Sequence, residues 1–394
     1  MKPMKKILGL LLALCLIAGC TSAFAAGIPV EQVKIGYITI GDENEGYSAN
    51  HLNGLKEAQA ALGISDDQVL CKYNVPETED AYEAAIDLAE QGCNIIFATS
   101  FGHESYVFQA AAEYPNIQFC HATGTAAMSS PLNNVHNYFY AVYESRYVSG
   151  VVAGMKLAQM IEDGTITAEN AKIGYVGAFP FAEVISGFTS FFLGARSQCP
   201  SVTMEVRYTN SWGDMALEKE TAEALIADGC VLISQHADTT GAPSACEAAG
   251  VPCVGYNISM LPVAPNTALT SAAGDWGAYV TYAVKCLIDG EEIARDWCKG
   301  YAEGAVYTTE LNDSIVAPGT AEKVAELEEA FKAGTVKVFD TSTFTVNGET
   351  LTSYTTAYGL EGIEMVSDGE FHESSVRSAP YFDILIDGIT AVVE

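Results

Sequence analysis

One sequence pattern occurs twice in this chain, and it limits the folds that the chain can adopt. The segment VKIGYITIG at residues 33–41 is echoed by AKIGYVGAF at residues 171–179, and each opens a series of short apolar runs separated by stretches of helical spacing. Strands that alternate with helices of about 10–15 residues form parallel sheets covered by helices. The doubling therefore predicts an α/β fold with two doubly wound lobes.

The length of the chain also favours two lobes. It has 394 residues, whereas single cores rarely grow beyond about 250–300 residues. We predict a first lobe of residues 33–142 plus about 270–300, and a second lobe of residues 143–269 plus about 301–345. The spacing predicts long helices near residues 46–62 and 140–161.

The C-terminal part of the chain lacks this periodicity. From residue 335 onwards it is rich in Thr, Ser and Gly. We expect this tail to close sheet edges and to cross between the lobes, but the pattern does not trace its path. The placement of residues 346–394 therefore stays open at this point.

The first twenty residues are typical of a secretory signal. A basic start at residues 2–6 precedes an apolar run at residues 7–18, and small residues follow. The run is too short to cross a bilayer, and no later segment is long and apolar enough to do so. We therefore expect residues 1–19 to be removed and the mature chain to form a soluble body.

Cys20 is the candidate lipidation site. It ends the segment IAGC at residues 17–20, which resembles a lipobox, whereas AFA at residues 23–25 offers cleavage without a lipid. Several acyl chains on one residue would anchor the protein stably, since each buried CH₂ contributes about 0.8 kcal/mol. We expect residues 20–32 to form a tether that holds the protein on the outer face of the cell membrane.

The composition argues against several partners and cofactors. The formal net charge is −31, and so acidic a body repels nucleic acid and anionic lipid. The cysteines beyond Cys20 are odd in number and form no C-x-x-C pair, and the histidines show no metal spacing. We predict no metal, no cofactor and a monomer, and a pairing of Cys246 with Cys253 stays open.

Polar and aromatic residues gather after the predicted strands. Ligands of open α/β sheets bind beyond the carboxyl ends of the strands, and the segment GDENEGY at residues 41–47 lies at such an end. Two facing lobes would bring these loops onto one cleft. The candidate ligand-binding residues are Asp42, Tyr47, Ser48, Ser100, Phe101, His121, Phe179, Trp212, His236, Asp238, Asn257, Asp275 and Trp276.

These residue types favour binding over catalysis. Ser100, His103 and His121 could form a catalytic set, but the chain has no G-x-S-x-G elbow and no glycine-rich phosphate loop. We therefore predict a protein that is not an enzyme. A nucleoside-cleaving enzyme and a ligand sensor stay open as alternatives.

The predicted cleft suits a neutral, planar ligand that is rich in hydrogen-bond donors. The candidate walls are aromatic, and stacking of a base on an aromatic ring is worth about 1–3 kcal/mol. The carboxylates of Asp42, Asp238 and Asp275 would accept the N–H and O–H donors of a base or a sugar. A phosphate would instead require cations or a helix N-terminus free of carboxylates.

Nine segments, in order, resemble a known family between residues 33 and 290. They are similar to the basic-membrane-protein (BMP, PnrA-like) group of ABC-transporter substrate-binding lipoproteins. The segments are KIGYITIGDENEGYSANHLNGL, GCNIIFATSFGHES, HATG, YESRYVSGVVAG, KIGYVGAFPFAEVISGF, LGARS, TNSWGDMALEKETAEALIADGC, QHADTTG and GDWGAY. The resemblance implies the type I periplasmic-binding fold, in which two Rossmann-like lobes are joined by three crossings and close on a ligand.

The resemblance also implies roles for individual residues. Members of the family bind purine nucleosides, and others are linked to adenine or riboflavin. The stacking ring would be Tyr47 with Asp42 as its acidic partner, the opposing ring would be Trp212, and Asp238 would be a polar contact. Nucleoside-binding members often carry a Lys near the ribose, where this chain has Asp275, so a free base and a nucleoside both stay open.

The resemblance implies three kinds of partner. The first is the ligand, a purine nucleoside or base, with riboflavin or another planar molecule as the alternative. The second is the permease and ATPase of an ABC importer. The third is the membrane, reached through the lipid on Cys20.

Overall fold

The chain builds two large sheets in the computed structural model, which describes residues 27–357 and 360–392. The predicted signal at residues 1–19 and the lipidation site Cys20 lie outside these residues. Within the described ranges, no helix has the length and apolar character needed to span a membrane.

The first sheet is parallel throughout and six-stranded in the described part of the chain. Its strands are β1 (Ile35–Ile38), β2 (Val69–Lys72), β3 (Ile95–Ala98), β4 (Gln118–Ala122), β5 (Val135–Tyr140) and, from far along the chain, β11 (Asp296–Lys299). Their order is β11-β5-β4-β3-β1-β2. Strands β1 and β3 are buried along their whole length, as is usual where helices cover both faces of a sheet.

The second sheet repeats this arrangement. Its strands are β6 (Lys172–Gly177), β7 (Thr203–Tyr208), β8 (Leu232–Gln235), β9 (Cys253–Tyr256), β10 (Ala268–Gly274), β12 (Val306–Thr308) and β15 (Ile389–Val392). The order is β12-β10-β9-β8-β6-β7-β15, and only β12 runs antiparallel to its neighbour among these strands. A small hairpin of β13 (Val366–Ser367) and β14 (Glu370–Phe371) stands apart.

Helices cover both sheets and link them. They are α1 (Gly46–Leu62), α2 (Asp80–Glu90), α3 (Glu104–Glu113), α4 (Val142–Glu162), α5 (Ala182–Gln198), α6 (Met215–Ala227), α7 (Gly241–Ala249), α8 (Trp276–Asp289) and α9 (Thr320–Lys332). Helix α1 packs on α8, α2 on α3, α6 on α7, and α4 on α5. Helices α1 and α4 confirm the two long helices that the spacing predicts.

Helices α4 and α5 pack closely because glycines let their backbones touch. A Cβ added at Gly150 would overlap the carbonyl oxygen of Phe191, and one added at Gly154 would overlap that of Ala195. Only glycine fits where two backbones approach this closely. Because α4 leads from the first sheet to the second, this packing fixes where the second lobe begins.

The chain passes between the sheets three times. It runs from β5 to β6 through α4, from β10 to β11 through α8, and directly from β11 to β12. The parallel sheets and their crossings confirm the predicted α/β class. Strand β10 stays in the second sheet as far as Gly274, slightly beyond the boundary predicted near residue 270, and the division into lobes at fixed residues stays a prediction.

The C-terminal tail lies against both lobes. The Ser186 hydroxyl of α5 donates to the buried carboxyl group of Glu373, and the Ser378 hydroxyl donates to Asp296 of β11 at 2.8 Å. The tail then returns to the second sheet, where β15 pairs with β7 and covers its edge. The tail therefore ties the two lobes together on one side of the molecule.

Glu373→Gln should change how the stability of the protein depends on pH. Burial raises the pKa of Glu373 from 4.5 to about 8. The folded state therefore holds a proton that the unfolded state has released, so the stabilisation is complete below pH 4.5 and is lost as the pH rises towards about 8. Relative to Glu373→Gln, the wild-type protein should lose up to about 1.4 kcal/mol of unfolding free energy per pH unit in this window.

Urea unfolding at about pH 5 and about pH 8 measures this difference. The exposed Glu349→Gln in the same tail is the matched control, and it should follow the pH dependence of the wild type. Parallel pH profiles for the wild type and Glu373→Gln would contradict the prediction.

Candidate functional site

A cavity lies between the carboxyl ends of the two sheets. Its volume accessible to water-sized molecules is about 20 Å³, within a space of about 350 Å³ that includes open solvent. The first lobe contributes Ile40, Tyr47, Thr99, Ser100, Phe101 and Thr123. The second lobe contributes Glu183, Trp212, His236, Asp238 and Tyr256. These residues end a strand, follow one, or begin the next helix, as the ligand-binding crevices of α/β sheets require.

The two lobes touch around this cavity. The backbone N–H of Gly46 donates to the carbonyl oxygen of Asp238 at 3.1 Å. A Cβ on Gly46 would lie 2.7 Å from that oxygen, so glycine permits the contact. Beside it, the rings of Phe101 and Phe181 lie 5.3 Å apart between centroids, one from each lobe. The structure is therefore a closed arrangement of the lobes.

Tyr47 is held rigidly in the wall of the first lobe. Its hydroxyl donates to the carbonyl oxygen of Thr99 at 2.6 Å, and its ring meets His51 edge-on at 4.6 Å between centroids. Its backbone N–H donates to the carboxylate of Glu45, which caps the N-terminus of α1. These contacts fix the ring without assistance from a ligand.

Trp212 lies in the wall of the second lobe. It follows β7, is half-buried, and meets Phe179 edge-on at 5.0 Å between centroids. Its carbonyl oxygen accepts from the backbone N–H of Asp238 at 2.8 Å. The structure thus brings the two predicted rings, Tyr47 and Trp212, to one cavity from different lobes.

Asp238 is a buried carboxyl group, and its Oδ1 accepts from the amide of Asn257 at 2.8 Å. Burial raises its pKa well above the usual value, and the nearby carboxylates of Glu45, Glu218 and Glu183 raise the pKa further. This environment favours the protonated form, in which Asp238 can donate one hydrogen bond in addition to the acceptor role predicted from the sequence.

His236 and Glu183 form a second polar pair in the cavity wall. The Nε2 atom of His236 lies 2.8 Å from Oε1 of Glu183. Burial lowers the pKa of His236, so the ring is neutral at neutral pH and its Nε2–H donates to the carboxylate. Glu183 thereby lines the cavity as a hydrogen-bond acceptor, as does Asp238.

A buried arginine supports this wall from behind. The guanidinium of Arg146 lies 3.6 Å from the ring centroid of Tyr256 and donates to the carbonyl oxygen of Gln235 at 2.7 Å. The cation–π contact fixes the Tyr256 ring that lines the cavity. The positive charge also offsets part of the cost of placing carboxyl groups nearby.

Three residues predicted from the GDENEGY segment and its neighbours do not line the cavity. The Asp42 carboxylate accepts from the backbone and side chain of Asn44, at 2.9 Å each. The hydroxyl of Ser48 accepts from the backbone of Gly41, and His121 lies behind Ser100, whose carbonyl oxygen its Nε2 meets at 2.7 Å. Their predicted contact with a ligand stays a prediction, since in this structure their side chains bond to nearby turn and backbone groups.

Four more predicted residues have supporting roles. Phe179 packs on Trp212 and Asn257 on Asp238, so both lie behind the cavity wall. Asp275 accepts from the backbone N–H of Gly277 and caps α8. Trp276 is a core residue rather than a wall, since it is 1% exposed and stacks on His51 at 3.8 Å between centroids.

Five lining residues were missed by the sequence prediction. They are Ile40, Thr99, Thr123, Glu183 and Tyr256. They lie at strand ends, just after them, or at the start of the next helix, which is the signal that the sequence offers. Neighbouring residues share this position, so the signal alone does not say which residue lines the cavity.

The described residues contain no cluster of three or more side chains that could hold a metal ion. The cysteines described, Cys246 and Cys253 among them, are free thiols.

A protein-family profile and a related protein each match most of this chain. The profile of the family described as ABC transporter substrate-binding protein PnrA-like matches residues 38–338. A purine-binding protein of Brucella abortus (strain 2308) is 33% identical over 311 residues, which cover 78% of this chain and 83% of that protein.

A second relative and a solved structure are also similar to this chain. A protein of Haloferax volcanii, named as an ABC transporter glucose-binding protein, is 29% identical over 336 residues, covering 85% of this chain and 81% of that protein. The structure of an ABC transporter solute-binding protein from Aeropyrum pernix K1 has a TM-score of 0.65 at 18% identity, covering 77% of this chain and 92% of that one. At this identity the structural likeness shows the fold alone.

The two tryptophans should differ in their effect on stability. Trp276→Ala should lower the free energy of unfolding by about 3–5 kcal/mol, because it removes a fully buried aromatic side chain from the core. Trp212→Ala, the matched control on the half-buried wall, should cost clearly less. Urea unfolding of both variants measures this, and equal losses would contradict the assignment of Trp276 to the core and Trp212 to the wall.

Proposed function

The chain belongs to the PnrA-like family of ABC transporter substrate-binding proteins, and from this premise we propose that it captures a purine base or purine nucleoside outside the cytoplasm. One observation carries the proposal: Tyr47 and Trp212 line a single cavity from different lobes, next to the carboxyl groups of Glu183 and Asp238. The ligand would lie between the lobes and be held by both.

The aromatic walls favour a flat heterocycle. Stacking on an aromatic side chain is worth about 1–3 kcal/mol per base and needs only a π-face. The ring of Tyr47 is already fixed by its hydroxyl contact with Thr99. Little conformational entropy is then lost from this wall on binding, which favours affinity.

The polar groups favour a ligand edge that both donates and accepts. The raised pKa of Asp238 favours a form that donates, the Glu183 carboxylate accepts, and a purine edge presents ring-nitrogen acceptors beside N–H donors. Several carboxyl groups surround the cavity (Glu45, Glu183, Glu218 and Asp238). An anionic ligand would be repelled by them, so the proposed ligand is neutral.

Lobe closure is the proposed mechanism. Ligand shifts the balance between open and closed forms only by binding the closed form more tightly. A heterocycle between Tyr47 and Trp212 would contact both walls only when the Gly46–Asp238 contact is made. Closure would therefore be coupled to occupancy of the cavity.

We propose partners that follow from the family. The closed protein would deliver its ligand to the permease of an ABC importer powered by an ATPase. A lipid on Cys20 would hold it at the membrane surface, and we expect it to act as a monomer. No chemical step is proposed for the ligand.

Calorimetric titration tests the ligand class. We expect adenine, hypoxanthine, adenosine, guanosine or inosine to bind, while riboflavin and glucose do not. Glucose belongs in the panel because of the Haloferax relative. Binding of riboflavin or glucose in place of every purine would overturn the proposal, and so would release of free base from the nucleosides during incubation.

Trp212→Ala is the matching variant for the same titration. Loss of one stacking wall should weaken purine binding by about 1–3 kcal/mol. Asp42→Asn is the control, since Asp42 lies outside the cavity and should leave the affinity unchanged. An unaltered affinity for Trp212→Ala would mean that Trp212 only packs on its neighbours.

The protonation of Asp238 gives a separate prediction. An asparagine presents the same pair of one acceptor and one donor as a protonated carboxyl group. Asp238→Asn should therefore keep the purine affinity within about threefold at neutral pH, whereas Asp238→Leu should lose about 1–3 kcal/mol by leaving partners unpaired. Equal losses in the two variants would show that Asp238 binds as an ionised acceptor.

A further inference from the structure

A second and larger cavity adjoins the candidate site. Its volume accessible to water-sized molecules is about 500 Å³, within a space of about 1240 Å³ that includes open solvent. Phe101, Thr123 and Glu183 line both cavities. The two spaces therefore meet at these three side chains, and a ligand in the first cavity could extend into the second.

The outer wall of the second cavity is the C-terminal tail. Tyr354, Arg377, Ala379, Tyr381 and Asp383 all face it. Each lies beyond residue 338, where the match to the family profile ends. This wall is therefore built by a part of the chain for which the family comparison gives no role.

Specific contacts hold the wall in place. The Ser378 hydroxyl donates to Asp296 at 2.8 Å, and the Tyr354 hydroxyl donates to Asp383 at 2.7 Å. The guanidinium of Arg377 lies 3.7 Å from the ring centroid of Tyr381. The tail is thus anchored to the first lobe at the side of the cleft.

Two buried hydroxyl groups on this cavity lack partners among the described residues. They belong to Tyr381, which is 3% exposed, and Thr123, which is 7% exposed. Thr123 also adopts a φ of 63°, which β-branched residues rarely do. Buried polar groups without partners are costly, so a ligand group that bonds to them would be favoured.

The side chains around these hydroxyls define the chemistry of such a group. Tyr381 and Thr123 can each donate and accept, while Glu183 and Asp383 accept. The Arg377 guanidinium lines the same cavity, so charges of both signs face it and a neutral polar group fits without adding a net charge. Phe101 and Phe181, which are 41% and 38% exposed, supply apolar surface next to the passage between the cavities.

We propose that the C-terminal tail completes the ligand site, and that the second cavity receives a neutral, hydroxyl-bearing substituent of the ring held in the first. The inference rests on the proposed function, because it needs a ring ligand in the first cavity. It adds that the tail selects between ring ligands with and without such a substituent.

Calorimetric titration of the full chain with two pairs of probes tests the inference. Each pair is a base and its nucleoside: adenine with adenosine, and hypoxanthine with inosine. Tyr381→Phe should weaken nucleoside binding about three- to tenfold, the worth of one neutral hydrogen bond, and should leave base binding within about twofold. Ala379→Leu, which narrows the cavity, should likewise weaken nucleoside binding more than base binding.

A matched control and a folding check accompany these variants. Tyr82→Phe removes an exposed tyrosine hydroxyl on the first lobe, where it donates to Glu113 at 2.7 Å, and it should bind both probes as the wild type does. Thermal unfolding of each variant should show a single transition near that of the wild type.

The outcomes separate the two proposals. Nucleoside binding by both Tyr381→Phe and Ala379→Leu that equals the wild type would overturn the inference and leave the proposed function intact. Equal losses for base and nucleoside, or a wild-type protein that binds bases alone, would overturn it as well. A wild-type protein that binds none of the four probes would overturn the proposed function and this inference with it.

Discussion

The main-chain hydrogen bond from Gly46 to the carbonyl oxygen of Asp238 is the contact on which the site depends. It joins the N-terminus of α1 in the first lobe to the loop after β8 in the second. Glycine makes it possible, since a Cβ would lie too close to the acceptor. The contact places Tyr47, the next residue, beside Asp238 at the cavity. Both the ring wall and the polar wall are therefore positioned by one interlobe contact.

Electrostatics then decide what the cleft can hold. Carboxyl groups from both lobes meet in a buried space, and burial together with their mutual repulsion raises the pKa of Asp238. Arg146 balances part of this charge from behind the wall through its contact with Tyr256. The acidic character of the chain, with a net charge of −31, thus continues into the cleft. A neutral ligand with both donors and acceptors fits such a site better than an anion.

The tail changes how the cleft is bounded. In the part of the chain that matches the family, two lobes face each other across the cavity; beyond residue 338 the tail adds a third wall on one side. It is tied to the second lobe through Glu373 and β15, and to the first through Ser378. In the proposed closure, a wall attached to both lobes would have to accommodate their relative motion.

The sequence alone determined the class of fold and the region of the site. Strand and helix periods are local properties, so the two parallel sheets and the helices α1 and α4 could be predicted, and strand ends located the polar loops. The sequence did not determine which side chain of each loop faces the cavity. Asp42 bonds within its own turn, whereas Glu183 lines the cavity. Trp276 packs in the hydrophobic core, whereas Trp212 lines the cavity. These choices, like the raised pKa of Asp238 and the path of the tail, depend on contacts between residues far apart in the chain. Only the tertiary structure brings those residues together, and no local pattern encodes them.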